Sequence, residues 1–201
     1  MKLYLAPGAC SLADHIALHE AGLAFDRIRV DLKAGRTEDG RDYRAINPKG
    51  YVPALLLDDG ALLTENVAIL AWIADRSPAL APKGDLGRYR LLEMLAFIST
   101  EIHKGFKPFF AGADDAAKAQ AGETIGKRLS YLAERMDHDY LFGEAFTVAD
   151  AYLFVVEMWA RKNGLTLPGR LAGHYERMSR RPAVRLALEH EGLAETKQPL
   201  P

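Results

Sequence analysis

Between Ser77 and Gly87 the chain reads Ser-Pro-Ala-Leu-Ala-Pro-Lys-Gly-Asp-Leu-Gly, and the spacing of apolar residues changes across that segment. Proline cannot continue a helix or a ladder, and glycine is costly inside either, so such a run reads as a connector. Before it, short strand-like runs alternate with helical ones. After it come only long helical stretches, near 88–106, 115–138, 148–163, 170–180 and 183–191. A chain broken in this way is expected to fold as a mixed α/β unit over 1–77, a linker over 78–87 and an all-α unit over 88–201. With 201 residues and 49% apolar content, it can bury a core without metals or disulfides.

The first unit carries its punctuation openly. Lys2-Leu-Tyr-Leu-Ala6 reads as a strand ended by Pro7-Gly8. Leu12, Ile16 and Leu18 give helical spacing over Ser11–Ala21, which Gly22 stops. Arg27–Asp31 alternates polar and apolar residues, as a half-buried strand does. Pro53–Thr64 holds two apolar runs around Asp59-Gly60, a hairpin turn pair, and Glu65–Asp75 is again helical. In the second unit, Leu91, Leu95, Ile98 and Ile102 form one stripe, while Ala96, Thr100 and His103 share another face, suited to line a cleft. Thr147 and Asp150 read as a capping-box pair before an all-round apolar run, Ala151–Val156.

Charge excludes some partners. With 26 basic and 27 acidic residues, no global field recruits nucleic acid or an anionic membrane. No segment approaches the roughly 20 apolar residues of a membrane span, and the start lacks a signal-like pattern, so a cytoplasmic protein is expected. A lone cysteine, Cys10, has no intramolecular partner. It falls between the Pro7-Gly8 turn and a helix start, where free N–H groups and the helix dipole favour a thiolate and a lowered pKa. Two readings stay open: a reactive thiol, or a small residue packed as a hydrophobe. Ala13 stands where a Cys-x-x-Cys pair would have its second cysteine, which argues against a dithiol oxidoreductase.

Other residues carry similar pairs of readings. Val52-Pro53 opens a strand, where an ordinary trans proline is tolerated. Thr64-Glu65-Asn66 stands at a helix N-terminus. It can cap that helix, or it can hold an amino-acid head, with the carboxylate on free N–H groups and the ammonium on Glu65. His103 and Lys104 are either a solvated pair or helpers of a thiolate.

These pieces in this order resemble the cytosolic glutathione S-transferases, and within them the bacterial beta class. The resemblance rests on Lys2–Leu12, Ile46-Asn-Pro-Lys-Gly-Tyr-Val-Pro53, Leu63-Thr-Glu-Asn66, Glu101-Ile-His-Lys104 and Phe146-Thr-Val-Ala-Asp-Ala-Tyr-Leu153. It implies a thioredoxin-like N-terminal domain that binds glutathione as co-substrate, an all-α domain lining the second-substrate pocket, and a homodimer. It further implies that Cys10 faces the glutathione sulfur, that Val52 pairs through its backbone before a cis Pro53, and that Glu65 and Asn66 hold the γ-glutamyl head. Thr100, His103 and Lys104 would approach from the helical domain, with Phe106, Phe109, Phe110 and Trp159 forming the apolar pocket. No metal is implied. Similar sequences often have serine at position 66 and lysine at position 35, where this chain has Asn66 and Gly35. The anion contact at the glycine end is then missing unless Lys33 or Arg36 supplies it.

Conjugation needs a thiolate, and a free thiol with pKa near 8.5 is only slightly ionised at neutral pH. Ser11, the N–H groups at the helix start and His103 are the expected donors to it, so Cys10, Ser11 and His103 are the catalytic candidates. Cys10 is a weak donor, better suited to thiol–disulfide exchange or peroxide-linked chemistry. The alternatives are a dedicated glutathione-dependent lyase, dehalogenase or reductase, or a carrier of hydrophobic compounds.

Overall fold

The computed structural model describes residues 1–194. The expected helical unit runs on to 201, and its residues 195–201 lie outside the described part. Alternation along β1 (Lys2–Leu5) sets the two sides of the sheet: Leu3 and Leu5 enter the main core, Tyr4 and the following Ala6 a smaller one opposite. β1 pairs in parallel with β2 (Asp26–Asp31), and α1 (Ser11–Glu20) is the crossover that a parallel pair requires. On its other side β1 pairs antiparallel with β4 (Ala54–Leu56). The Asp59-Gly60 turn, with Gly60 at φ 87°, returns the chain into β5 (Leu62–Thr64). A two-residue β3 (Arg36–Thr37) closes the β2 edge, giving the order β3-β2-β1-β4-β5. This edge strand is invisible in the sequence, because two residues carry no period.

The single turn α2 (Tyr43–Ile46), capped by Asp42, buries Tyr43 in the smaller core with Tyr4, Val30 and Val52. Helix α3 (Asn66–Arg76) packs beside α1 in the main core, placing Ile69, Leu70 and Ile73 there without exposure. Each such side chain contributes roughly 1.5–3 kcal/mol by leaving water. That core is shared with the helical half, because Leu91, Leu95, Ile98 and Ile102, the expected stripe, belong to it together with Leu12 and Ile16.

The stretch expected as one helix over 88–106 is three pieces. α4 (Gly87–Phe97) passes into a π turn at Ile98–Ile102 and a 3₁₀ turn at His103–Phe106 before the short α5 (Lys107–Phe110). The wider i→i+5 turn rotates the residues after it about the axis, a device frequent at functional sites. Then follow α6 (Asp115–Arg135), α7 (Val148–Lys162), α8 (Gly169–Arg180) and α9 (Pro182–His190). α7 is the central helix, apolar and buried nearly all round. Its start is held by the expected pair: Asp150 Oδ2 accepts from the Thr147 N–H and hydroxyl, each at 2.7 Å. The two halves are tied by polar contacts as well. Arg181 donates to both carboxylate oxygens of Glu20, at 2.6 and 2.7 Å, in a bidentate pair.

Candidate active site

Three backbone starts converge on a cavity of about 710 Å³: the β1–α1 turn, the Val52-Pro53 bend and the first turn of α3. Gly8 sits at φ 71° in the first, a left-handed conformation that glycine adopts without steric cost. It is clamped from the helical half, for its carbonyl accepts from Trp159 Nε1–H at 2.8 Å and its N–H donates to Glu191 Oε2 at 2.8 Å. Cys10 follows at the start of α1. Its Sγ donates to the Val52 carbonyl at 3.5 Å, and its own carbonyl accepts from Asn66 Nδ2 at 3.1 Å.

At the Cys10 thiol, burial dominates. Burial pushes Cys10 up to about 12, with Asp14 adding to the shift, while the N–H groups of Cys10 and Ser11 pull the other way and lose. This corrects the expectation of a lowered pKa: the helix start is there, but desolvation outweighs it. Asp14 is itself fully buried, and both its carboxylate oxygens lack partners among the described residues. Burial holds its carboxyl well above the ordinary range, and burial is the first cause at Cys10 as well.

The Val52–Pro53 bond is cis. Beyond it, Glu65 follows β5 as the N-cap of α3 at φ 74°, a conformation that costs a non-glycine residue roughly 1–3 kcal/mol. Its carboxylate is fixed by Lys49 Nζ and by the Tyr51 hydroxyl, the latter at 2.7 Å, and these two hold it below its usual range. Asn66, first residue of α3, is buried; its Oδ1 has no partner among the described residues. Both residues and Val67 line the cavity. An acceptor pair beside free helical N–H groups suits a head that carries ammonium and carboxylate together.

The opposite wall comes from the helical half. His103 Nδ1 lies 2.6 Å from the Tyr152 hydroxyl, which the Ser99 hydroxyl also reaches. Burial, with Lys104 nearby, lowers His103 to about 4, while burial raises Tyr152 above the ordinary phenol range. A neutral imidazole accepting the phenol proton at Nδ1 carries its own hydrogen on Nε2, free to donate. Trp159 packs edge-on against His103 with ring centroids 4.9 Å apart, and Phe110 packs edge-on against Trp159 at 5.0 Å, forming an apolar flank.

The cavity thus gathers Cys10, Val52, Pro53, Glu65, Asn66, His103, Lys104, Phe110 and Trp159. Four expected residues stand outside its lining. Ser11 is fully buried, its hydroxyl spent on the Ala6 N–H at 3.2 Å and the Ala6 carbonyl at 3.4 Å. Thr100 is exposed and bonds back to the Ala96 carbonyl, because the π turn brings Ser99 rather than Thr100 under His103. Phe106 is fully buried and Phe109 half-buried, behind the ring of Phe110 that Phe106 stacks on at 6.0 Å. Neither Lys33 nor Arg36 lines the cavity, and the Arg36 guanidinium donates to the Gly40 carbonyl. Sequence reading missed Tyr152, Ser99 and Tyr51. A tyrosine inside the otherwise apolar run Ala151–Val156 was the available signal for the first.

A mixed sheet with a cis proline at the cavity, joined to a helical bundle that supplies the second wall, defines a two-domain fold of the thioredoxin-like class. Residues 9–76 match the glutathione S-transferase N-terminal domain, and residues 115–190 the glutathione S-transferase C-terminal domain. The chain is 48% identical to the glutathione S-transferase GstA of Escherichia coli O157:H7, over 96% of this chain and all of that one. Two solved structures, each covering 96% of this chain and all of the other, are similar. A sphingomonad glutathione S-transferase complexed with glutathione has TM-score 0.90 at 48% identity, and a beta class enzyme of Sphingomonas chungbukensis has 0.89 at 45%. The chain belongs to the glutathione S-transferase family and resembles its bacterial beta class.

Proposed function

We propose that this protein is a glutathione transferase that binds glutathione across the cavity and transfers its sulfur to a hydrophobic electrophile, as a cytoplasmic homodimer. The observation that carries the reading is the strained Glu65 beside the partnerless Asn66 Oδ1 at the α3 N-terminus, a receptor for an α-amino-acid head. Among the described residues no helix is long and apolar enough to cross a membrane. The domain boundaries are read as 1–77 and 88–201, with 78–87 between.

In this reading the γ-glutamyl head sits on Glu65, Asn66 and the α3 N–H groups, the cysteinyl part runs along the Val52 backbone, and the sulfur falls between Cys10 and His103. The neutral His103 donates from Nε2 to the thiolate, lowering its pKa by favouring the charged form. The backbone N–H groups at the α1 start add to this. The electrophile lies on Phe110 and Trp159. In a slower side reaction the thiolate of Cys10 attacks the S–S bond of oxidised glutathione, forming a mixed disulfide and releasing one reduced glutathione.

Calorimetric titration with glutathione and turnover of chlorodinitrobenzene test the assignment. Glu65→Gln and Asn66→Ala are each expected to weaken glutathione binding at least tenfold. Absence of saturable binding by the native chain, or full affinity in both variants, defeats the assignment.

A further inference from the structure

Outside the cavity lining, three histidines from two distant parts of the chain meet. His15 and His19 stand four residues apart on one face of α1, as helical metal ligands often do, and His190 is the last residue of α9. Each offers one ring nitrogen, and these lie within 4.8 Å of one another. The ring of His190 stacks on that of His15 at 5.7 Å with 10° between planes, and His19 is 5.5 Å from His190. His15 and His19 each present a buried Nε2 with no partner among the described residues. Buried ring nitrogens without a partner are costly unless something occupies them.

The surroundings are those of a cation site. His15 Nδ1 lies 2.8 Å from Glu191 Oε1, and both side chains are fully buried. A carboxylate behind an imidazole fixes the tautomer that leaves Nε2 as a ligand and raises its basicity, the usual outer shell of zinc-bound histidine. His19 lies in the last turn of α1 and His190 ends α9, so two negative helix ends point at the cluster. Phe25 walls one side, edge-on to His15 at 5.7 Å. Arg27 is the opposing charge; it acts on both His19 and His190.

We propose that His15, His19 and His190 form a zinc site, with Glu191 as its outer-shell carboxylate and a fourth position open to water on the side of His190. Nitrogens on one tetrahedral zinc sit about 3.3 Å apart, given Zn–N bonds of about 2.0–2.1 Å, so the rings, now within 4.8 Å, must draw together on the ion. Imidazole donors suit the borderline ions, zinc among them, and disfavour magnesium and calcium. The bound ion joins α1 of the first domain to α9 of the second. Glu191 carries the link onward, since its other oxygen holds the Gly8 N–H at the cavity edge. The site is independent of the proposed transferase chemistry.

Calorimetry with zinc chloride on the full chain, untagged and stripped with chelator, tests it, alongside the visible spectrum of the cobalt(II) form. One zinc per chain is expected, with an upward shift in thermal midpoint because both domains share the ion. His19→Gln and His190→Ala should each weaken zinc at least tenfold, and Glu191→Gln by about 10–100-fold. The cobalt spectrum should lack a thiolate charge-transfer band, and Cys10→Ala should bind zinc like the parent. His190→Ala alters the most solvent-accessible of the three and keeps the test valid where His19→Gln fails to fold. Sub-stoichiometric binding, unchanged affinity in His190→Ala, or loss of binding in Cys10→Ala overturns the site.

Discussion

Helix α7 shows two ways of burying polar side chains, one on each face. Asp150 and Glu157, seven residues and about two turns apart, point to one side, and Tyr152 and Trp159, at the same spacing, to the other. On the first face all is closed. His174, fully buried, has Nδ1 2.9 Å from Glu157 Oε2 and Nε2 3.3 Å from Asp150 Oδ1, the latter an ionic contact rather than an aligned hydrogen bond. Asp150 also accepts from the Leu141 and Thr147 N–H groups. On the second face Tyr152 and Trp159 reach His103 and Gly8, which both line the cavity and keep capacity for a ligand. Polar groups that satisfy one another fix the fold, and those left one partner short are available for chemistry.

The closed face should answer in stability alone. Asp150→Ala strands two N–H groups, a hydroxyl and a buried imidazolium, and breaking such a buried pair costs about 3–5 kcal/mol. That lowers the thermal midpoint by roughly 10 °C in a chain of this size. Thermal denaturation reads the loss, and glutathione affinity of the surviving folded protein should stay put. A stable variant that no longer binds glutathione would move Asp150 to the other category.

The same face sets a pH dependence. Glu157 and Asp150 raise His174 from 6.5 to about 9 against burial, which acts the other way. The folded state therefore holds a proton that the unfolded chain releases. Its stabilisation is complete below pH 6.5 and fades as pH rises through 9. The midpoint should fall by a few degrees between those values, and His174→Gln should flatten the slope. A midpoint that climbs over that window means the imidazole is buried neutral.

Of the closed face only the cap was legible in advance, and of the open one Trp159 and His103 but not Tyr152. Thr147 and Asp150 announce a cap by spacing, and Asp59-Gly60 a turn by residue type, because both act within four residues of chain. Ser11 and Thr100 were expected in the site, yet the first hydroxyl is consumed by Ala6 and the second is turned away by a π turn that no residue pattern marks. Tyr152 reads as core because its ring is core; only its hydroxyl belongs to the cavity wall. His15 and His190 are joined by the docking of α1 on α9, which sequence spacing does not encode.

On the open face, Tyr152→Phe keeps the packing and removes one hydroxyl. His103 Nδ1 loses its partner and the imidazole its preferred tautomer, so we expect kcat for conjugation to fall about tenfold while KM for glutathione holds. Tyr152 acts as a positioning residue, so the pH profile is the sharper readout. With His103 lowered to about 4, no limb near pH 6.5 should belong to it, in parent or variant. A limb near 6.5 that vanishes in His103→Gln shows that the imidazole is protonated in the working range, and the neutral-donor role fails.

The smallest effect is expected at the residue that most invites attention. Cys10 touches the cavity, but its thiol is pushed up to about 12 and donates to the Val52 carbonyl, so at pH 8 only about one thiol in ten thousand is ionised. Exchange runs through the thiolate, and the rate of forming a glutathione mixed disulfide should therefore rise about tenfold per pH unit between 7 and 9. In the proposed mechanism the donors to the thiolate are His103 and the backbone, so Cys10→Ala should lower kcat/KM no more than about threefold while abolishing the adduct. Mass spectra after incubation with oxidised glutathione, taken across that pH range beside conjugation rates, separate the two reactions. Rapid adduct formation already at pH 7 means that the thiol ionises despite its burial, and Cys10 then joins the open face as a thiolate. A hundredfold loss of conjugation in Cys10→Ala goes further, since it makes this thiol the activating group and leaves His103 a neighbour.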